Sequence, residues 1–202
     1  TESSDRSEKV MPRSHMVARL IVGAYVGITI LGSLAFWWAG MSLFDAINHA
    51  MSAISTGGFS TSDQSLAKWT QPAVHWVAIV IMILGSLPFT LYVATMRGNR
   101  QALIKDQQVQ GMLAMLLVTW LVLGTWYWWT TQLHWLDALR HVALNVTSVL
   151  TTTGFALGDY SLWGNFSLML FFYLGFVGGC SGSTAGGIKI FRFQVAYILL
   201  KA

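Results

Sequence analysis

Four long stretches of this chain contain no Asp, Glu, Lys or Arg: residues 20–44, 69–96, 107–136 and 160–188. Each exceeds the roughly 20 apolar residues needed to cross a bilayer. They predict spanning helices over Met16–Gly40, Pro72–Met96 and Gln107–Trp129, and a fourth opening at Ser161. Two shorter segments, Ser42–Thr56 and Trp135–Thr153, lie between them. Both carry an acid near their start (Asp45, Asp137), the first behind Ser42 in the spacing of a helix N-terminus. Both run directly into a polar, glycine-bearing stretch: Ser55-Thr56-Gly57-Gly58-Phe59 and Thr151-Thr152-Thr153-Gly154-Phe155. Neither is long enough to cross, so each predicts a re-entrant helix that dips in and returns through irregular backbone. The order helix, dip, helix occurs twice. Placing Gly57 on Gly154, 97 residues apart, also places Asn48 on Asn145 and Ala46 on Ala143, which predicts an internal repeat.

Breaks within the apolar stretches add detail. Pro72 belongs in the first turn of its helix, and Gly85-Ser86 before Pro88 predicts a bend farther along. The fourth span is interrupted by Gly178-Gly179-Cys180-Ser181-Gly182-Ser183-Thr184-Ala185-Gly186-Gly187, with helix-forming sequence resuming at Ile188. Such backbone must face protein or a water-filled cavity; it reads as a glycine-hinged gate across a pore, or as a fixed break that only packs. Gly23, Gly27 and Gly32 share one face of the first helix, as close helix packing by small residues requires.

Composition excludes a soluble domain. Hydrophobic residues make up 54% of the 202 and charged residues only 10%, against about 25% charged in a typical globular domain. The fold class predicted is all-α integral membrane. Its parts are a polar tail (1–15), a pore repeat (16–100), a short loop (101–109) and a second pore repeat with an interrupted last helix (110–202). The net charge of +4 does not imply nucleic acid, because the basic residues flank apolar spans. Arg6, Lys9, Arg13, Arg19, Arg97, Arg100, Lys105, Lys189, Arg192 and Lys201 fall on one side, which the positive-inside rule makes cytoplasmic together with the N-terminal tail, expected to be flexible. Asp45, Asp63, Asp137 and Asp159 fall on the other, an acidic vestibule that concentrates cations. Trp37-Trp38 and Trp126–Trp129 suit interfacial belts. A lone cysteine, Cys180, rules out an intrachain disulfide. The opening Thr1-Glu2 without Met, and an end inside helix-forming sequence, lead us to expect a piece of a longer subunit.

The glycine-bearing stretches carry the candidate chemistry. A glycine at positive φ can aim successive carbonyls at one axis, where they replace an ion's hydration shell. Ser and Thr hydroxyls can add to them. Two segments supply only part of such a ring. Gly179-Cys180-Ser181-Gly182 also matches the GxSG pattern of rhomboid intramembrane serine proteases, an alternative that needs a histidine base beside Ser181; His75 is the main candidate. A non-conducting assembly fragment is a third reading. The phosphate-loop spacing is absent before Lys189. His49 and His141, early in the dipping helices, are read as hydrogen-bonded to backbone or water rather than as metal ligands.

Together, Phe44-Asp45-Ala46, Ser55–Thr61, Ser148–Phe155 and Gly178–Lys189 resemble the Trk/Ktr/HKT superfamily of potassium transporters, most strongly the bacterial Trk membrane subunit, with the likeness covering the chain beyond its polar tail. The resemblance implies four tandem helix–loop–helix repeats around one pore, of which this chain is similar to the second and third. It places potassium at filter residues Ser55, Thr56, Gly57 and Gly58 and Thr152, Thr153, Gly154 and Phe155, with no other metal or cofactor. It makes Gly178–Gly187, with Lys189 just beyond, an intramembrane gating loop. It further implies transport of potassium, with sodium as a second candidate ion, in a bacterial inner membrane. The partners it implies are lipid, the remaining repeats, a second copy in a homodimer, and a cytosolic nucleotide-binding regulatory subunit. No covalent chemistry is expected.

Overall fold

In a computed structural model of the chain, the backbone is described for residues 2–201 and side chains for residues 15–201. The side chains of Arg6, Lys9 and Arg13 lie outside the described residues. Helix α1 (Glu2–Trp38) contains an apolar portion, His15–Trp38, long enough to cross a membrane. The polar stretch expected as a separate tail is helical and continuous with that span. Helix α2 (Leu43–Ile54) follows, capped by the Ser42 hydroxyl, which accepts from the Asp45 amide at 3.1 Å. This cap satisfies one of the orphan donors of the first turn.

The second apolar stretch differs most from expectation. Pro72 does open α3 (Pro72–Ser86), but the helix ends at Ser86 and α4 (Phe89–Met96) leaves at 89° to it. Proline removes a donor and forces the residue before it into extended backbone. Leu87 adopts that extended conformation at ψ 154°, so the bend becomes a complete break. A short α5 (Ala102–Lys105) leads into α6 (Gln107–Thr131), the second uninterrupted span among the described residues. The re-entrant α7 (Trp135–Leu150) and α8 (Asn165–Leu174) follow. Residues 178–187 then form a loop closed at its base by two parallel two-residue strands, β1 (Val177–Gly178) and β2 (Ile188–Lys189). Helix α9 (Ile190–Lys201) ends the described chain, starting two residues later than the sequence predicted.

Each repeat has its own apolar core, and each core borrows from the other. The first, built on α1–α4, takes in Ala143, Leu144, Phe155 and Leu157 of the second repeat. The second, built on α6–α8, takes in Leu87 of the first. Of the glycines on α1, only Gly32 meets neighbours closely: a Cβ there would lie 3.1 Å from Ile81 and 3.4 Å from Ala50. Gly23 and Gly27 face open space within the described residues, so one of the three glycines on that face is used. Trp38 and Trp129 are 93% and 75% exposed, as side chains suited to a membrane interface can be.

Candidate ion filter and loop

The two glycine-bearing stretches are re-entrant. After α2 the chain returns to the helix's own start, where the Thr61 hydroxyl donates to the Asp45 carboxylate at 2.5 Å. After α7 the amide and carbonyl of Leu157 both bond Asn145, in the middle of the helix.

Backbone geometry corrects the register of the repeat. Beyond each helix the chain makes the same two steps. Thr56 and Thr152 take φ of 51° and 56°, then Gly58 and Gly154 take 71° and 97°. The amides match as well: Thr56 to Ala53 and Gly57 to Ser52, against Thr152 to Val149 and Thr153 to Ser148. Gly58 is therefore the counterpart of Gly154, and the offset is 96 residues rather than the 97 that pairs Gly57 with it. In this register Ser52 falls on Ser148, Phe59 on Phe155 and Asp63 on Asp159. The earlier pairing failed because two adjacent glycines are equivalent in sequence, and only φ tells them apart. Gly57 does not adopt positive φ.

The two stretches lie side by side. A Cβ on Gly58 would overlap the Thr153 carbonyl, and one on Gly154 would sit 3.9 Å from the Gly58 Cα. Among the described residues, no donor meets the carbonyls of Thr56, Gly57, Gly58, Thr152, Thr153 or Gly154. Gly57 and Gly154 are exposed and Gly58 and Thr152 half-buried, so a run of carbonyls with no protein donor can coordinate a cation. The hydroxyls expected to help are engaged elsewhere. Ser55 donates to Ser52 O, Thr56 donates to Thr184 O, and Thr152 accepts from the Gly186 amide. Thr153 shares a 2.7 Å hydrogen bond with Thr151.

The glycine-rich loop packs beneath both stretches and into the break between α3 and α4. That break orphans the Gly85 and Ser86 carbonyls and the Phe89 amide, and the loop supplies partners for all three. The Cys180 amide donates to Ser86 O at 3.0 Å, the Thr184 hydroxyl donates to Gly85 O at 2.9 Å, and Phe89 donates to Gly182 O at 3.0 Å. The same Thr184 hydroxyl lies 2.8 Å from Ile54 O, at the end of α2, so its one proton is shared between the two carbonyls. Ser183 closes a turn on Cys180 O, and Lys189 donates to the Ala185 carbonyl. Gly85 and Gly179 permit the fit: a Cβ on either would come within 2.8 Å of Ile54 O or of Ala185. Gly85, Ser86 and Gln108, whose side chain accepts from the Ser181 amide at 3.0 Å, were missed as loop partners. The Gly-Ser-Leu-Pro sequence signalled a bend but not what filled it.

Among the described residues no histidine bonds Ser181. The Leu66 carbonyl can only accept, so His75 carries its proton on Nε2 and takes a hydrogen bond from Arg140 on Nδ1 at 2.6 Å. That ring lines a cavity with Trp69, Arg140, His141 and Leu157, apart from the loop. His49 bonds backbone and a serine hydroxyl, as expected, and no metal-holding cluster of His, Cys, Asp or Glu occurs among the described residues. On the face where the return stretches emerge, Asp63, Asp159 and Tyr160 line a cavity of about 550 Å³. Asp45 and Asp159 there are held below the usual carboxylate range, chiefly by hydroxyl donation from Thr61 and Ser161 respectively.

Tandem repeats of helix, short helix and helix, mostly helical and apolar, with paired glycine turns above a loop that interrupts the last span, define a helical membrane-protein fold. The TrkH family, described as cation transport protein, matches residues 1–202, and the chain belongs to it. It is 50% identical over its whole length to the Trk system potassium uptake protein TrkI of Halomonas elongata, covering 41% of that protein. It is 32% identical to the potassium uptake protein TrkG of Escherichia coli, covering 40% of it. The crystal structure of the potassium transporter TrkH from Vibrio parahaemolyticus superposes with a TM-score of 0.86 at 30% identity, over 92% of this chain and 41% of that one. The chain thus spans about two-fifths of these relatives. They are named as transporters, not enzymes, and the protease alternative is set aside.

Proposed function

We propose that this chain forms part of a potassium-transporting membrane subunit, its two repeats supplying two of the walls of a carbonyl-lined filter. The observation that carries this reading is the pairing of Gly58 with Gly154, with unpaired carbonyls on both stretches. An ion passing there exchanges water for backbone oxygens of residues 56–58 and 152–154. Ser55 and Phe155 flank these oxygens, while the Ser and Thr hydroxyls brace the backbone. Gly178–Gly187 gates the path, held shut through Thr56, Thr152 and the Lys189 clasp on Ala185. Sodium is the second candidate ion. The subunit sits in a bacterial inner membrane, N-terminal end cytoplasmic, in contact with lipid and further repeats of the same protein. It pairs as a homodimer and binds a cytosolic nucleotide-binding regulatory subunit. The test is potassium uptake, with rubidium and sodium as competitors, in a transport-deficient strain expressing the full gene. Saturable uptake favouring potassium is expected. Its absence, or its persistence unchanged in Gly58→Ala and Gly154→Ala, would overturn the reading.

A further inference from the structure

In the 96-residue register, His49 of α2 is the counterpart of Asn145 of α7. Both side chains are completely buried. They differ in size and chemistry, yet each bonds its own helix one turn back and the stretch that returns beside it. Each spends one donor on the carbonyl a turn back: His49 Nδ1 on Asp45 O at 2.8 Å, Asn145 Nδ2 on His141 O at 3.0 Å. Asp45 and His141 are themselves counterparts. Each spends the remainder on the stretch returning from the glycine turn. Asn145 grips the Leu157 backbone at both its amide (3.1 Å) and carbonyl (3.0 Å). His49, its Nδ1 fixed as donor by the Asp45 carbonyl, accepts from the Ser60 hydroxyl on Nε2 at 2.9 Å, and Ser60 Oγ accepts from the Ser62 amide.

We infer that His49 and Asn145 are equivalent positioning residues that hold the outer limb of each filter stretch and thereby set ion discrimination; this rests on the filter reading above. The inner limb is already tied to its helix through the Gly57 and Thr153 amides. With the outer limb also pinned, the carbonyls between them keep their spacing and cannot close around a smaller ion. His49 does more than serve its own repeat. Its ring stacks on Phe155 of the other filter stretch, centroids 5.7 Å apart at 24°, and meets Trp69 edge-on at 4.7 Å. The brace of the first repeat thus also backs the filter of the second.

The test measures potassium-over-sodium discrimination in rubidium uptake by cells expressing the full-length protein, with its membrane level measured alongside. Ser60→Ala removes the outward partner of His49 without touching the helix, and Asn145→Leu removes the second grip at similar volume. Each is expected to lower discrimination about fivefold, equivalent to about 1 kcal/mol, the net value of one hydrogen bond, while uptake itself persists. His49→Gln keeps an acceptor for Ser60 and is expected to retain discrimination that His49→Leu loses. Unchanged discrimination in Ser60→Ala and His49→Leu at normal membrane level overturns the inference. Should Asn145→Leu fail to accumulate, Ser60→Ala alone decides. Gly154→Ala separates the two ideas. If it lowers discrimination and the brace variants do not, only the brace is wrong; if it too changes nothing, the filter reading falls.

Discussion

Adjacent glycines in one stretch have unequal jobs. Gly58 is at φ 71° and its missing Cβ leaves room for the Thr153 carbonyl, whereas a Cβ on Gly57 would meet only the movable side chains of Ser55 and Phe59 at 3.2 and 3.3 Å. An L-residue at left-handed φ costs roughly 1–2 kcal/mol. Gly58→Ala is therefore expected to damage potassium preference most, through strain and overlap together. Gly154→Ala should do so by strain alone, and Gly57→Ala least; relative uptake of potassium and sodium in the three variants checks the order. A reversed ranking of Gly57 and Gly58 would return the register to 97. At the same scale, the Asp45 carboxylate accepts from Thr61 and Ser42. Because its pKa is lowered in the folded state, its contribution is present at neutral pH and is lost as pH falls through that lowered value. Thermal melts from pH 7 to pH 3 should show a component of acid destabilisation that Asp45→Asn lacks.

At the scale of elements, the broken α3–α4 pair and the broken α8–α9 pair complete one another. Each leaves backbone groups that a membrane interior does not satisfy, and each supplies the other's partners. Thr184 is the pin, its hydroxyl bonding the carbonyls of Ile54 and Gly85. Thr184→Val keeps the shape and removes both bonds, a loss of about 1–3 kcal/mol. If the loop obstructs the path, this variant should raise basal uptake severalfold at unchanged membrane level; uptake that stays level or falls argues for a fixed structural break.

Across the whole molecule, several polar bonds join the repeats on the filter side: Ser65 and Leu66 bond the Ala156 backbone, and a charged side chain adds another. Arg140 of α7, its side chain 11% exposed, pairs with Asp137 at 2.8 Å and reaches across to His75 of α3. Arg140→Gln should cost about 1–3 kcal/mol by leaving His75 Nδ1 without its donor. A lower melting midpoint of the detergent-extracted protein, with ion preference unchanged, is the expected result. No shift would make the contact incidental.

Charge-free lengths, caps and glycine placement were enough to read off a membrane protein of two repeats with two re-entrant helices and a broken last span, because hydrophobic length and backbone satisfaction in lipid leave few alternatives. The Gly178–Gly187 stretch was legible as an interruption for the same reason. Tertiary structure alone decided three things. It chose Gly58 over Gly57, since positive φ is not written in residue identity when two glycines adjoin. It turned the expected bend at Pro88 into an 89° break, since a helix abandons its continuity only where another segment takes up its freed carbonyls and amides, and that segment lies about a hundred residues away in the chain. It equated His49 with Asn145, since two unlike side chains perform one task only when the fold brings the returning stretch within reach of both.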